Sequence, residues 1–331
     1  MSTPNTRRDV LRIGASALAA GSLAGCLGGG AASGSDADDG DSSAATASFA
    51  VVGDFASAVA GDAASVSTLV PVGQHGHGWS PSPRVHREVL ESDLFVYVAE
   101  GFQPWADDIV ANVRNGGTGV TAVAAREGID LLGGDGSHDH GHESEDEHGH
   151  DHGTVDPHFW LDPDRSKRAV ENVREGFVEV DGENAGTYED NAAAYARRLD
   201  ELDEAFASAL SDAPKDVVLV AGHNAFRYLG STYGFEIRAL TGISPDDRPT
   251  PKDVARAQEI IDEHDVEYIL APALESDRAA TQLVNETDAK DHLPITSIAG
   301  MKEEWKRRNW SYVDLMENVN LPSLKRALGA Q

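Results

Sequence analysis

The chain is short of cysteine and of basic residues, and each shortage excludes something. One of its 331 residues is cysteine, Cys26, so no disulfide can form within the chain. Lys and Arg number 27 against 56 Asp and Glu, giving a formal net charge of −29. Phosphate binding needs clustered cations, so nucleic acid is excluded as a partner. The acidity suits a cation ligand, but most of it reads as the surface of a halophilic protein kept soluble at very high salt. Long apolar runs are scarce too. The stretch from Ile13 to Ala24 is short for a membrane span, and no other run is long enough, so the bulk of the chain is expected outside the bilayer.

What is present begins with a targeting pattern. Residues 1–25 read as an export signal. Thr6-Arg7-Arg8-Asp9-Val10-Leu11-Arg12 is a twin-arginine pattern, which implies export in the folded state. Leu23-Ala24-Gly25-Cys26 resembles a lipoprotein processing box, with Cys26 as the lipid attachment point. Residues 26–47 are mainly Gly, Ala, Ser and Asp, a flexible tether. The expected arrangement is anchor, tether and soluble domain on the extracellular face of the cell membrane.

Beyond the tether, β-rich runs alternate with helical patterns. Ser48–Val52, Val66–Val70, Leu94–Ala99 and Val120–Ala124 read as strands, and Pro83–Glu91 and Pro104–Arg114 as helices. Leu94–Ala99 is almost wholly apolar, as a strand buried on both faces would be. Residues 134–154 interrupt the pattern with no apolar anchor and read as a disordered loop. Pro163–Glu179 reads as a helix capped by Asp162, with Pro163 at its first position. In Thr187–Leu210, Tyr188, Ala192, Tyr195, Leu199, Leu202, Phe206 and Leu210 recur at three- and four-residue spacing, marking a long amphipathic helix. Strands return at Val217–Ala221, Phe235–Leu240 and Val266–Ala271, with helices at Asn224–Thr232, Pro251–His264, Asp277–Glu286 and Tyr312–Leu328. The pattern predicts an α/β fold of two lobes with mainly parallel sheets, residues 48–186 and 212–331, joined by one long helix over 187–211.

Three histidines stand in informative contexts, and two of them, His77 and His223, fall where a cleft between such lobes would lie. His77 follows a strand, His158 precedes a helix in Asp156-Pro157-His158-Phe159-Trp160-Leu161-Asp162-Pro163, and His223 ends the strand Val217–Ala221. Ligands of parallel α/β lobes bind at the carboxyl ends of strands. Neutral imidazole suits tetrahedral Zn²⁺, whereas Mg²⁺, Ca²⁺ and Mn²⁺ favour oxygen-rich shells. Singly, each His reads as a loop or capping residue; jointly they read as a metal site. His86, His264 and His292 read as ordinary surface or helix histidines. Trp79, Trp105 and Trp160 read as packing around the cleft, and Glu100 as an acid at a strand end, either orienting a ligand or exposed.

These segments resemble the cluster A-I substrate-binding proteins of zinc and manganese ABC importers, over most of residues 48–331. Gly73-Gln74-His75-Gly76-His77-Gly78-Trp79-Ser80-Pro81-Ser82-Pro83 is similar to that family's Gly-x-Asp-Pro-His-x-Tyr/Phe-x-Pro-Ser-Pro segment, with His75-Gly76 in place of Asp-Pro. Asp156–Pro163 matches the second ligand motif. Ala221-Gly222-His223-Asn224-Ala225-Phe226-Arg227-Tyr228 is similar to the third, where zinc members carry His and manganese members Glu. The resemblance implies His77, His158 and His223 as ligands of a transported Zn²⁺, with Mn²⁺ disfavoured, and a linker helix between the lobes. It also implies a permease and its ATPase as partners of a monomer. The family's fourth, acidic ligand is displaced: Thr296 stands where Asp is expected, leaving Glu275 or water as candidates. The histidines of the acidic loop, His138, His140, His142, His148, His150 and His152, are expected to gather Zn²⁺ weakly near the cleft.

Three other functions fit parts of the pattern, one of them a zinc-buffering or adhesive surface protein that would share the site but lack an importer. Three His and a water would also serve a zinc hydrolase, but there is no His-Glu-x-x-His helix and no clear general base beside the set. A binding protein for a siderophore or cobalamin would share the lobes but not need three His in ligand motifs.

Overall fold

Small side chains open the first lobe: Ser43–Ala47, all Ser, Ala and Thr, form β1 in the middle of a sheet. The computed structural model describes residues 43–74, 76, 79–133, 155–244 and 247–331. The twin-arginine segment, Cys26, most of the expected tether, His75, His77 and the acidic His-rich loop lie outside these residues.

The first lobe continues with α1 (Ala50–Ala60), β2 (Ala64–Thr68), α2 (Pro83–Leu90), β3 (Leu94–Tyr97), α3 (Pro104–Gly116) and β4 (Thr121–Ala124). Its strands pair in parallel in the order β2-β1-β3-β4. A one-turn 3₁₀ helix, Phe159–Leu161, leads into α4 (Pro163–Val180), and α5 (Ala185–Leu210) follows. The second lobe holds β5 (Val217–Val220), α6 (Arg227–Tyr233), β6 (Glu236–Ala239), α7 (Pro251–Glu263), β7 (Tyr268–Pro272), α8 (Arg278–Glu286) and β8 (Asp291–Ile295). Its parallel order is β6-β5-β7-β8. Then come α9 (Glu303–Arg307), α10 (Tyr312–Leu315), a π-helical turn at Met316–Asn320 and α11 (Leu321–Leu328). The fold is α/β, with two parallel-sheet lobes and a long helix between them.

The helix signals act as chemistry requires. Asp162 caps α4, its Oδ1 accepting from Arg165 N at 3.1 Å, with Pro163 where a missing N–H costs nothing. Along α5 the buried residues are Tyr188, Ala192, Tyr195, Leu199, Leu202, Phe206 and Leu210, the stripe its periodicity marks. Each large apolar member of that stripe contributes roughly 1.5–3 kcal/mol by leaving water.

Three stretches depart from expectation. Residues 43–47 are strand, not tether: small side chains look like linker composition, but here they let α1 and neighbouring strands approach. Ser48–Val52 is not a strand; α1 starts at Ala50, and the apolar run continues as a helix face through Val51, Val52, Phe55, Ala56 and Val59. A short apolar run does not distinguish the two by periodicity. Asp291–Ile295 shows no strand pattern yet forms β8, whose edge position tolerates Pro294. Among the described residues no helix is long and apolar enough to cross a membrane.

Candidate metal centre

His158 sits in a turn that supplies its own carboxylate. Asp156 Oδ1 accepts the His158 backbone N–H at 3.0 Å and lies 2.8 Å from the ring Nδ1. Both residues are fully buried. The turn is tied down across the lobes: Tyr228 Oη donates to Asp156 O at 2.7 Å and accepts from Leu132 N at 2.9 Å. Burial pushes the His158 pKa down, against the opposing pull of Asp156, which favours the neutral ring a metal needs.

His223 is carried just past the end of β5, and Glu275 just past the end of β7. Those strands are parallel neighbours, so their carboxyl ends emerge side by side. Glu275 Oε1 hydrogen-bonds His223 Nδ1. Gly222 permits this approach: a Cβ there would stand 2.5 Å from Pro272 Cγ and 2.6 Å from Glu275 Oε2.

The two rings face each other with centroids 5.5 Å apart and planes at 50°. A carboxylate on Nδ1 holds the proton there and puts the lone pair on Nε2. Two imidazoles binding one tetrahedral Zn²⁺ through Nε2 would have centroids roughly 5 Å apart, given Zn–N of about 2.0–2.1 Å. The observed spacing therefore fits a shared ion. Trp160 packs at 5.3 Å from the His158 ring, and Phe102 meets that ring edge-on at 6.5 Å.

The structure thus brings His158 and His223 together. His77, their expected third, lies outside the described residues, as do the six loop histidines. Among the described residues no group of three His, Cys, Asp or Glu side chains gathers to hold a metal. One oxygen of the candidate ligand Glu275 is engaged by His223 Nδ1. Thr296 is buried and structural, its backbone held by Asn320. Glu100 is exposed and lines a separate cavity of about 320 Å³ beside β4 and α4. His86 lies on α2, His264 caps the end of α7 and His292 lies in β8, none buried. Sequence reasoning gave no role to Asp156, although an Asp two residues before a His, in an Asp-Pro turn, is placed to accept its backbone N–H.

Beyond Glu275 the centre adjoins a cavity of about 630 Å³ whose walls include Gln74, Trp79, Gly222, Arg248 and Arg278.

The comparisons with known proteins point one way. Residues 46–327 match the family model described as zinc-uptake complex component A, periplasmic. The zinc-binding lipoprotein AdcA of Streptococcus pneumoniae is 32% identical over 282 residues, covering 84% of this chain and 54% of that protein. The chain spans about half the length of the AdcA relatives it matches. The high-affinity zinc uptake system protein ZnuA of Bacillus subtilis is 30% identical over 295 residues, covering 89% of this chain and 90% of that one. Among solved structures, the Zn(II)-bound ZnuA-like domain of Streptococcus pneumoniae AdcA superposes with a TM-score of 0.71 at 29% identity, covering 86% of this chain and 98% of that one. The metal-dependent lipoprotein YcdH of Bacillus subtilis gives 0.72 at 27%, covering 86% and 98%. With a match over nearly all of both lobes, this chain belongs to the zinc-uptake complex component A family.

Proposed function

We propose that this chain captures Zn²⁺ outside the cytoplasm, in the cleft between its lobes, and delivers it to the permease of an ABC importer. The observation that carries the reading is the facing pair His158 and His223, each with Nδ1 on a carboxylate. Such pairs fix ring orientation and tautomer and raise ligand basicity. Zinc is named in the family description and in the names of both curated relatives. His77 supplies the third imidazole, and the fourth position falls to water or to the second oxygen of Glu275. The lobes are residues 48–186 and 212–331 with β1 added to the first, and residues 187–211 link them. The protein is a monomer held on the extracellular face of the membrane by lipid on Cys26, exported folded by the twin-arginine route in a halophile. The acidic loop raises local Zn²⁺ through its six histidines.

The hydrolase reading gains nothing from the site. Asp156 and Glu275, the carboxylates at the rings, each bond an imidazole Nδ1. The test is equilibrium dialysis against equal Zn²⁺ and Mn²⁺, followed by metal analysis. Zinc at one tight equivalent is expected; recovery of Mn²⁺ instead overturns the assignment.

A further inference from the structure

Past β8, the backbone from Ser297 to Met301 leaves the second lobe's sheet and docks on the first lobe at three points. Trp160 Nε1 donates to Ser297 O at 2.7 Å, Gly76 N to Ala299 O at 3.1 Å and Gly73 N to Met301 O at 2.7 Å. Two of these donors adjoin expected ligands: Gly76 immediately precedes His77, and Trp160 follows His158 by two residues. The docking is close. A Cβ on Gly300 would stand 2.3 Å from Gln74 O, and one on Gly76 would stand 2.6 Å from Phe49 Cδ2 and 3.1 Å from Ala299 O. A shift of residues 297–301 therefore bears directly on Gly73, Gln74, Gly76 and the Trp160 ring.

The shape of this segment is not one the backbone chooses freely. Ile298 has φ of +57°, a left-handed conformation that a β-branched residue adopts only when its surroundings impose it. What imposes it begins at Asn320. Its Oδ1 accepts from Thr296 N at 2.8 Å and its Nδ2 donates to Thr296 O at 2.9 Å, so one amide closes both polar groups of one residue. Thr296 Oγ1 then accepts from Ile298 N at 3.0 Å. Asn320 is fully buried at the end of the π-helical turn Met316–Asn320, a backbone irregularity that recurs at functional sites.

We propose that Asn320 is a positioning residue for metal retention: through Thr296 it fixes residues 297–301 as a clamp that seats the backbone before His77 and the indole beside His158. This rests on the zinc-site reading above. Its action runs through a backbone segment that continues from the second lobe's sheet.

The test uses the full chain in three variants. Asn320→Asp keeps the size and the acceptor but puts an oxygen against Thr296 O. Gly300→Ala leaves Asn320 intact and pushes on Gln74 O directly. His158→Ala is the control for the site itself. Zinc release is timed against a chromogenic chelator, and the d–d absorption of the Co²⁺-substituted protein reports ligand geometry, with circular dichroism to verify the fold. The first two variants are expected to release zinc about 10-fold faster or more, the effect typical of disturbing groups that orient metal ligands, and to change the Co²⁺ spectrum. Parental rate and spectrum in folded Asn320→Asp overturn the proposal, whatever Gly300→Ala does. A change in Asn320→Asp with Gly300→Ala unchanged also overturns it, because Asn320 would then act on the fold at large. If Asn320→Asp does not fold, Thr296→Val, which removes the acceptor of Ile298 N at nearly constant size, takes its place in the same comparison. If His158→Ala keeps zinc as the parent does, the zinc-site reading has failed; if it loses zinc while the other two do not, only the clamp has failed.

Discussion

His158 and His223 are oriented by the same device built in two ways. In the first lobe, histidine and carboxylate are two residues apart in one turn, and both are fully buried. In the second they are 52 residues apart, on loops that follow neighbouring strands, and the carboxylate is 20% exposed. The first cradle is local and dry, and its geometry holds as long as one turn holds. The second is assembled by sheet topology and is open to water at one side. One histidine–carboxylate pair is thus prefabricated in a turn, and the other exists only in the folded lobe.

The largest effect that would test this comparison is loss of either ring. His158→Ala and His223→Ala should each lower zinc affinity by at least about 10–100-fold, since disturbing only a supporting group typically costs that much. Competition with a chelator of known affinity measures it, and His264→Ala should remain near the parent. Equal losses at His158 and His264 would dissolve the centre.

The next effect separates the cradles. Asp156→Ala leaves a buried backbone N–H of His158 without its acceptor, a cost of about 1–3 kcal/mol. It should lower both zinc affinity and the Tm of metal-free protein. Glu275→Ala removes a carboxylate that water can partly replace, so zinc affinity should fall with little change in Tm. Equal losses of Tm would erase the distinction.

A smaller effect concerns a carboxyl that serves no imidazole. Asp54 on α1 accepts from Tyr195 Oη of α5 at 2.6 Å, and burial pushes its pKa above the usual carboxylate value. A raised folded pKa means the folded state holds the proton more tightly than the unfolded chain. The group's contribution is most favourable below its unfolded pKa of about 3.9 and is lost as pH rises through the folded value. Asp54→Asn should therefore raise Tm relative to the parent more at pH 7 than at pH 4. An advantage that grows toward acid pH would reverse the assignment.

The smallest expected effect is that of deleting residues 137–153. Capture at scarce zinc should slow, while the one tight equivalent measured by dialysis remains. Loss of that equivalent would move the site into the loop.

The same contrast explains what could be read in advance. Local signals were legible: the stripe from Tyr188 to Leu210 and the Asp162–Pro163 cap each lie within one element or turn. The pairing of His223 with Glu275 was not, because it depends on β5 lying beside β7, which neither strand states alone. Asn320 was invisible for a similar reason, since its partner Thr296 is 24 residues away and its amide answers backbone rather than side chain. Ser43–Ala47 was misread as tether because small residues are as common in linkers as in tightly packed central strands.

The linker helix carries a mechanical consequence. At 1.5 Å per residue, the 26 residues of α5 form a strut about 39 Å long. Seven of its side chains are buried, and its contacts reach α1 and α4 on one side and α11 on the other. Such a strut has no soft crossover at which the lobes could swing, so large rotations must bend the rod or strip packing from it. Any separation of the lobes is then work done against the packing of that one helix.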